Sequence, residues 1–306
     1  MNRDVDASSR AAETRSRPSP VRMLWITAAW GACFVTIRWG LRDAPALWFA
    51  TLRALVAGVA LLVWGTARGH PAPRGWPAWG LIGAMAVTNA SLAFGAMFAG
   101  VAGAETGVAA VLANAQPLLI LLPAWWLYGE RVAPRTVVAM AAGFAGLVMV
   151  AGPGGGGRGA WLSVLAAIGI TTGTLLARRV GSLDVVLVSG WHFVLGGVVL
   201  GGVAATTEGV PAITWSPRFV AALGFLALIG TAAAYVAWFD EIQHGPLGPL
   251  AAWTFLVPVF GVGFGVILLG ERPGPWTLAG VGLVLISFWF VLRWPRETAR
   301  PSKVSE

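Results

Sequence analysis

Apolar residues run along this chain in stretches of about 20 residues, the length of helix that spans the hydrocarbon core of a bilayer. Short connections rich in Gly, Pro and Arg separate these stretches. Lipid offers no partners for open backbone, and the alternating pattern of a barrel strand is absent, so each stretch is predicted to be helical. The ten predicted spans lie at residues 23–41, 46–65, 78–100, 105–128, 134–151, 160–177, 185–204, 218–238, 246–269 and 276–294.

Composition agrees with an all-α integral membrane protein, because 57% of the residues are hydrophobic and only 11% are charged. The one cysteine, Cys33, lies inside the first span, and the three histidines are scattered. Neither a disulfide framework nor a metal site is therefore expected. The Gly cluster at 152–159 lacks the ending that grips nucleotide phosphates. We expect no cofactor, and no convergent set of nucleophile and base indicates an enzyme.

Lys and Arg are concentrated on one predicted side of the membrane. They fill the N-terminal tail, the connections near residues 68–74, 131–135 and 178–179, and the C-terminal tail. The positive-inside rule then places both termini in the cytoplasm of a multi-pass protein of the cytoplasmic (inner or plasma) membrane. Residues 1–21 and 295–306 are polar and are predicted to be cytoplasmic tails, the first of them disordered. Topology and anionic lipid account for the net charge of +8, so no nucleic-acid partner is expected.

An internal repeat divides the chain. Setting residue n against residue n + 141 aligns "LYGERVAPR" at 127–135 with "LLGERPGP" at 268–275. The same offset pairs Pro117 with Pro258, and an offset two residues shorter places Arg53 on His192. The sequence therefore predicts two five-helix halves, at 22–152 and 160–294, joined by a Gly-rich linker at 153–159.

Five spans in each half have a geometric consequence, since an odd number makes the second copy enter the membrane from the opposite face. Such inverted repeats build secondary transporters with a substrate site near mid-depth, where the halves meet. The "GER" turns would then lie on opposite sides of the membrane. In one interpretation Gly129 and Gly270 end helices and Pro134 and Pro275 begin the next ones. In the other, the charged pairs gate the path; these are Glu130 with Arg131 and Glu271 with Arg272.

The order of these motifs resembles the EamA family of the drug/metabolite transporter superfamily. The stretches that carry the resemblance are "WGACFVTIRWGL" at 30–41, "LRALVAGVALL" at 52–62 and "NAQPLLILLPAWWLYGERVAP" at 114–134. The resemblance implies a ten-helix carrier with a central cavity, most often an exporter of amino acids or other small metabolites. The second copy departs from the pattern, since "PLAAWTFLVP" at 249–258 lacks polar residues like Asn114 and Gln116.

Ionisable and polar residues inside the spans are the candidates for substrate contact. A charge at mid-membrane costs about 3 kcal/mol on insertion scales, so Arg53 and His192 rank first. Arg53 would fix a substrate carboxylate and His192 would form a hydrogen bond to it; alternatively, both have structural roles. Polar and aromatic residues in other spans either line the cavity or join helices. Pro117 and Pro258 make two of these spans irregular. The candidates are Asn89, Asn114, Gln116, Tyr235 and Trp253.

These features predict a secondary transporter that moves a small metabolite by alternating access around a mid-membrane cavity. The favoured substrate is an amino acid or a related compound, and the favoured direction is export. The alternatives are a channel-like or importing facilitator, and a non-transporting membrane receptor or assembly protein. No Asp or Glu lies in the middle of a span, so coupling to protons would need a span-end carboxylate or His192. The expected partners are the small-molecule substrate and the lipid bilayer, and a homodimer is compatible with the pattern but not required.

Overall fold

The computed structural model describes residues 18–103, 106–129, 133–151, 158–270 and 272–293, and within these ranges the regular structure is entirely helical. The helices are labelled in chain order: α1 Pro20–Gly40, α2 Ala46–Ala67, α3 Trp76–Gly103, α4a Thr106–Ala113, α4b Gln116–Leu119, α4c Leu121–Tyr128, α5 Pro134–Ala151, α6 Arg158–Ala177, α7 Val185–Thr207, α8 Pro217–His244, α9a Leu247–Trp253, α9b Leu256–Leu269 and α10 Pro275–Arg293.

Within the described residues, seven helical segments are long and apolar enough to cross a membrane: α1, α2, α3, α6, α7, α8 and α9 taken as one segment. The apolar helices α5 and α10 are shorter, and α4 is in three pieces. The chain is therefore a multi-pass membrane protein. The count of ten spans goes beyond this finding and stays a prediction, as does the inverted arrangement.

The termini and the linker were predicted to lack regular structure. Most of the predicted tails and linker lies outside the described residues. Two boundaries differ from the prediction, because α1 begins at Pro20 and α6 begins at Arg158. Ser19 explains the first of these, since its hydroxyl accepts a hydrogen bond from the Arg22 N–H and caps the helix.

Two predicted spans are interrupted where they were expected to be continuous. The span at 105–128 breaks between Ala113 and Gln116 and again at Ile120, and the span at 246–269 breaks between Trp253 and Leu256. Proline accounts for the breaks before α4b and α9b, because it has no N–H for the carbonyl four residues earlier. Pro117 and Pro258 each stand in the first turn of the helix that follows a break. Corresponding points of the two halves are therefore irregular.

The glycines of the "GER" turns end helices, as predicted. Gly129 has φ of 66° and ends α4c, and Gly270 has φ of 68° and ends α9b. Both values lie in the left-handed region that favours glycine. Pro134 and Pro275 are the first residues of α5 and α10, also as predicted. The predicted gating residues Glu130, Arg131 and Glu271 lie outside the described residues, and Arg272 is exposed.

Each half also contains a π-helical segment that the sequence did not predict, Ala86–Leu92 in α3 and Phe225–Ala233 in α8. The offset of 141 superimposes them. In each segment a hydroxyl group donates to the carbonyl five residues earlier, from Ser91 in the first and from Thr231 in the second. The same hydroxyls also contact the second helices of the opposite halves: the proton of Ser91 is shared with the Gly196 carbonyl of α7, and Thr231 accepts from Arg53 of α2. Such π-segments are frequent at functional sites.

The helices of one half pack mainly against those of the other. Helix α2 lies along α7, α5 along α10, and α1 against α9b. Glycine allows the closest approach between α2 and α7. A Cβ atom at Gly58 would lie 2.7 Å from the Val194 nitrogen and 2.8 Å from the Gly190 oxygen. The core of the protein is therefore the junction between the two halves.

Candidate functional site

Arg53 lies in α2 and points into the junction between the halves, where it is 2% exposed. Its Nε donates to the Thr231 hydroxyl at 2.7 Å, and one terminal nitrogen lies 3.4 Å from the Gly230 carbonyl and 3.9 Å from the Cys33 sulfur. The guanidinium carbon stands 4.3 Å from the centre of the Phe94 ring. The two oxygens that accept from this side chain, the Thr231 hydroxyl and the Gly230 carbonyl, both belong to the π-segment of α8.

The charge of Arg53 is incompletely satisfied. Its Nη1 atom is buried and forms no hydrogen bond among the described residues, and no carboxylate in that part of the chain pairs with it. A cation over an aromatic face is stabilised by about 2 kcal/mol when water is excluded. That is less than the several kcal/mol that an ion loses on leaving water. One donor of the guanidinium is therefore left without an acceptor among the described residues.

Five rings form an aromatic cluster beside the guanidinium, namely Trp30, Phe94, Phe193, Tyr235 and Phe239. Phe94 stacks on Phe193 with centroids 5.6 Å apart, and Tyr235 meets Phe193 edge-on at 5.1 Å. Phe94 and Tyr235 occupy equivalent positions at the offset of 141, and their rings are 6.1 Å apart. Residues at equivalent positions of two repeats contact each other close to the axis that relates the repeats. The aromatic cluster therefore lies near that axis.

His192 is fully buried in α7 and contacts the same aromatic cluster, with its ring 5.8 Å from that of Phe239. Its Nδ1 lies 3.1 Å from the Val188 carbonyl, and its Nε2 lies 3.4 Å from the Asn89 amide nitrogen. A carbonyl only accepts, so Nδ1 carries the proton and Nε2 accepts from Asn89. Both ring nitrogens are therefore bonded. Arg53 and His192 therefore contact the same aromatic cluster, but no hydrogen bond connects them directly.

The remaining predicted residues are less closely connected. Gln116 donates to the Thr174 hydroxyl at 2.7 Å and ties α4b to α6. Asn114 lies in the break after α4a and donates to the Ala110 carbonyl of that helix, and Trp253 packs its ring against Phe288 of α10. Among the described residues none of these three forms a hydrogen bond or ring contact with Arg53. The structure brings Asn89 and Tyr235 to the cluster and leaves Asn114, Gln116 and Trp253 apart from it.

Sequence reasoning missed most of the surroundings of Arg53. Thr231 stood out as a polar residue in an apolar span, but its partner depends on the π-segment that turns it toward α2. Phe94 had a signal, because the repeat pairs it with Tyr235. The Gly230 carbonyl had none, since every residue of an apolar run has a carbonyl, and nothing in the sequence placed the one cysteine, Cys33, beside Arg53.

Comparison with known proteins identifies this architecture. The model of the EamA-like transporter family matches residues 21–152 and again residues 157–293. The chain belongs to this family. Two matches in succession mean that this transporter contains two EamA repeats, which cover nearly all of the described residues.

Relatives from distant organisms match the transporter over most of their length. An uncharacterized transporter of Synechocystis is 27% identical over 289 residues, which cover 86% of each chain. YvbV of Bacillus subtilis, also named as an uncharacterized transporter, is 26% identical, covering 88% of this chain and 90% of its own. YedA of Escherichia coli, named as an uncharacterized inner membrane transporter, is 28% identical, covering 84% and 85%.

A crystal structure with 19% sequence identity shares the fold, with a TM-score of 0.75 over 88% of this chain and 94% of the other. The fold, the family and the names of the relatives agree. The protein is a multi-pass membrane transporter of small compounds.

Proposed function

We propose that this protein is a secondary transporter that exports a small metabolite bearing a carboxylate, an amino acid or a related compound. Transport would proceed by alternating access around the junction of two inverted halves, with Arg53 binding the carboxylate. The observation that carries the proposal is the buried Nη1 atom of Arg53, which has no partner among the described residues. A carboxylate of the substrate would supply both the missing acceptor and the missing counter-charge.

The surroundings of Arg53 favour a carboxylate attached to an apolar or aromatic body. The ring centres of Phe94 and Phe98 lie 4.3 Å and 5.7 Å from the guanidinium carbon, and the other rings of the aromatic cluster lie beyond Phe94. At the far side of the cluster, the substrate would replace the contact between the Asn89 amide and His192 Nε2 with polar contacts of its own, and Tyr235 would pack beside it. Asn114, Gln116 and Trp253 would line the path rather than the binding site. Occupation of the site requires these packed side chains to separate.

Matched contacts at opposite ends of the helices support the inverted arrangement. Arg38 near the end of α1 donates to the Val101 carbonyl in α3, and Arg178 just after α6 donates to the Ile242 carbonyl in α8. Both members of the first pair belong to the predicted external side, and both members of the second belong to the predicted cytoplasmic side. The two arginines occupy equivalent positions of the repeat. The export direction rests on the family resemblance alone.

Proteoliposomes test the carboxylate requirement without any variant. Vesicles are loaded with amino acids, the corresponding amino-acid amides and the decarboxylated amines, and mass spectrometry follows what leaves. We expect compounds with a carboxylate to leave selectively, about tenfold faster or more, since a hydrogen bond to a charged group is worth about 1.5 to 3 kcal/mol. Equal rates for acids, amides and amines would contradict the proposal.

Replacement of Arg53 tests the residue itself. Arg53→Lys retains the charge and loses the fork of donors, and Arg53→Leu loses both, so efflux of the acid should fall in that order. Arg42→Leu, which removes an exposed arginine from the connection after α1, is the matched control and should transport normally. A folded Arg53→Leu protein that exports acids at the normal rate would exclude Arg53 as the binding residue.

A further inference from the structure

Two aspartates occupy equivalent positions in the two halves, Asp43 in the connection after α1 and Asp184 in the connection after α6, with the offset of 141 between them. Each forms a polar side-chain contact with the opposite half. Asp43 accepts from Arg218 at the start of α8, at 2.7 Å, and Asp184 lies 2.7 Å from Nδ1 of His70 in the connection after α2. The same kind of aspartate contact therefore occurs once in each half, with an arginine as the partner in one case and a histidine in the other.

The two pairs lie at opposite ends of the helices. Asp43 and Arg218 stand where α1 ends and α8 begins, which is the predicted external side. Asp184 and His70 stand where α7 begins and α2 has ended, which is the predicted cytoplasmic side. Both pairs thus bridge the junction of the halves, each at one end of the path that alternating access would open.

Burial distinguishes the two aspartates from ordinary surface carboxylates, while their partners Arg218 and His70 are 44% and 27% exposed. The side chains of Asp43 and Asp184 are 7% and 17% exposed, although each lies in a connection between helices. Asp43 is further held by the Ser216 hydroxyl at 3.1 Å. Fully exposed ion pairs contribute little, whereas removing the partner of a buried carboxylate leaves its charge without compensation.

Helix capping does not account for either contact. The first N–H groups of α2, at Leu47 and Trp48, are accepted by the Glu208 carboxylate, so Asp43 is not needed there. Asp184 does cap α7, because its Oδ1 accepts from the Leu187 N–H at 2.9 Å. Its other oxygen, Oδ2, is the one directed at His70. Each aspartate therefore has an oxygen whose role is to join the halves.

We infer that Asp43 and Asp184 are the closing contacts at the two ends of the transport path, Asp43 with Arg218 at one end and Asp184 with His70 at the other. Loss of one pair favours the conformation that is open at its own end, and because the two open conformations compete, it disfavours opening at the other end. The inference rests on the alternating access proposed above, and it does not depend on which substrate is carried.

Thiol accessibility at both ends tests the inference. In a Cys33→Ser background, a single reporter is placed beside each aspartate, Ala44→Cys at one end and Val186→Cys at the other. The two native side chains are 7% and 6% exposed. A membrane-impermeant maleimide is added to each side of oriented vesicles in turn. We expect Asp43→Asn to raise the labelling rate of the Ala44→Cys reporter about fivefold or more and to lower that of the Val186→Cys reporter, with Asp184→Asn giving the reverse.

The reciprocal change at the far end is decisive. If each substitution raised labelling only beside itself, the pair would be a local stabilising contact, and the inference would fail; no change at either end would also overturn it. Asp240→Asn is the matched control. It removes a carboxylate that pairs with Arg22 across the same junction but is 46% exposed, so neither reporter should respond. Exchanging the charges in the double variant Asp43→Arg with Arg218→Asp should restore the original labelling.

The proteoliposome assay separates this inference from the proposed function. Selective efflux by the wild-type protein without a reciprocal labelling change would leave the transport function standing and remove the closing role of the aspartates. A reciprocal labelling change without any selectivity for carboxylates would do the opposite.

Discussion

Gly58→Leu is expected to lower the stability of the folded transporter by about 3 kcal/mol, the upper end of the usual cost of overpacking. A Cβ atom at this position would lie 2.7 Å from the backbone nitrogen of Val194 and 2.8 Å from the backbone oxygen of Gly190. Backbone atoms of a packed helix cannot rotate aside as a side chain does, so α2 and α7 would have to separate. Because these two helices join the halves, the loss should extend beyond the site of the substitution.

Unfolding of purified protein in one detergent, by heat or by added denaturing detergent, measures this loss. The control is Gly202→Leu on α7, where an added Cβ has nothing within 4 Å and the residue is exposed. Leucine is also a better helix former than glycine, so Gly202→Leu should be neutral or slightly stabilising. Equal unfolding midpoints for the two variants would contradict the packing between α2 and α7.

The repeat partner of Gly58 provides an intermediate case. Gly197 in α7 faces the side chain of Leu55, and an added Cβ there would meet Leu55 Cδ2 at 2.8 Å. The nearest atoms belong to a side chain that can change its rotamer. Gly197→Leu should therefore cost less than Gly58→Leu, and the same measurement orders the three variants.

Features that depend on local chemistry could be predicted from the sequence. Gly129 and Gly270 end helices because only glycine adopts a left-handed conformation without cost, and Pro134 and Pro275 begin the next helices because proline needs no hydrogen-bond acceptor. The length of an apolar run similarly predicts a helix. These signals are each contained in a few neighbouring residues.

Features that depend on packing could not be predicted in the same way. A π-segment adds one residue to a turn, and an apolar run carries no period sharp enough to reveal it. The contacts of Asp43 and Asp184 did leave a signal, since the repeat alignment pairs the two residues, but an aspartate in a connection between helices is usually exposed to solvent and has no further feature that indicates a partner. Their partners, Arg218 and His70, are not repeat equivalents and follow only from the fold.

The candidate site combines features that could be predicted from the sequence with features that could not. The cost of charge in lipid singled out Arg53 and His192, and both are buried at the junction of the halves. Their partners are the Thr231 hydroxyl and the Asn89 amide, which reach them from α8 and α3. Sequence alone treats neutral polar residues in the spans alike, so it could not separate Thr231 and Asn89 from Asn114, whose side chain bonds only the Ala110 carbonyl of the preceding helix.

Thr231→Val should lower the stability of the folded protein by about 2 kcal/mol, because it deprives a buried charged group of a hydrogen bond. The Thr231 hydroxyl accepts from Arg53 Nε and donates to the Leu226 carbonyl, both at 2.7 Å. Valine has nearly the same shape, so the core remains filled, but Nε joins Nη1 as a second donor without a partner. Unfolding midpoints in detergent, measured as for Gly58→Leu, give the loss.

Thr254→Val is the matched control, since Thr254 is as deeply buried and its hydroxyl only donates to the Ala251 carbonyl of its own helix. It should cost less than about 1 kcal/mol, the net value of a neutral hydrogen bond. A loss as large as that of Thr231→Val would mean that the effect belongs to threonine in an apolar span and not to Arg53.

A double-mutant cycle then isolates the charge. In an Arg53→Leu background the Thr231 hydroxyl no longer has a cation to stabilise, so adding Thr231→Val should cost much less than it does in the wild type. A cost that is the same in both backgrounds would mean that Thr231 acts through the π-segment alone. A smaller cost in the Arg53→Leu background would attribute the stability of this site to the bond between Thr231 and Arg53. With Nε bonded to Thr231, the unpaired Nη1 atom is the donor available to a substrate.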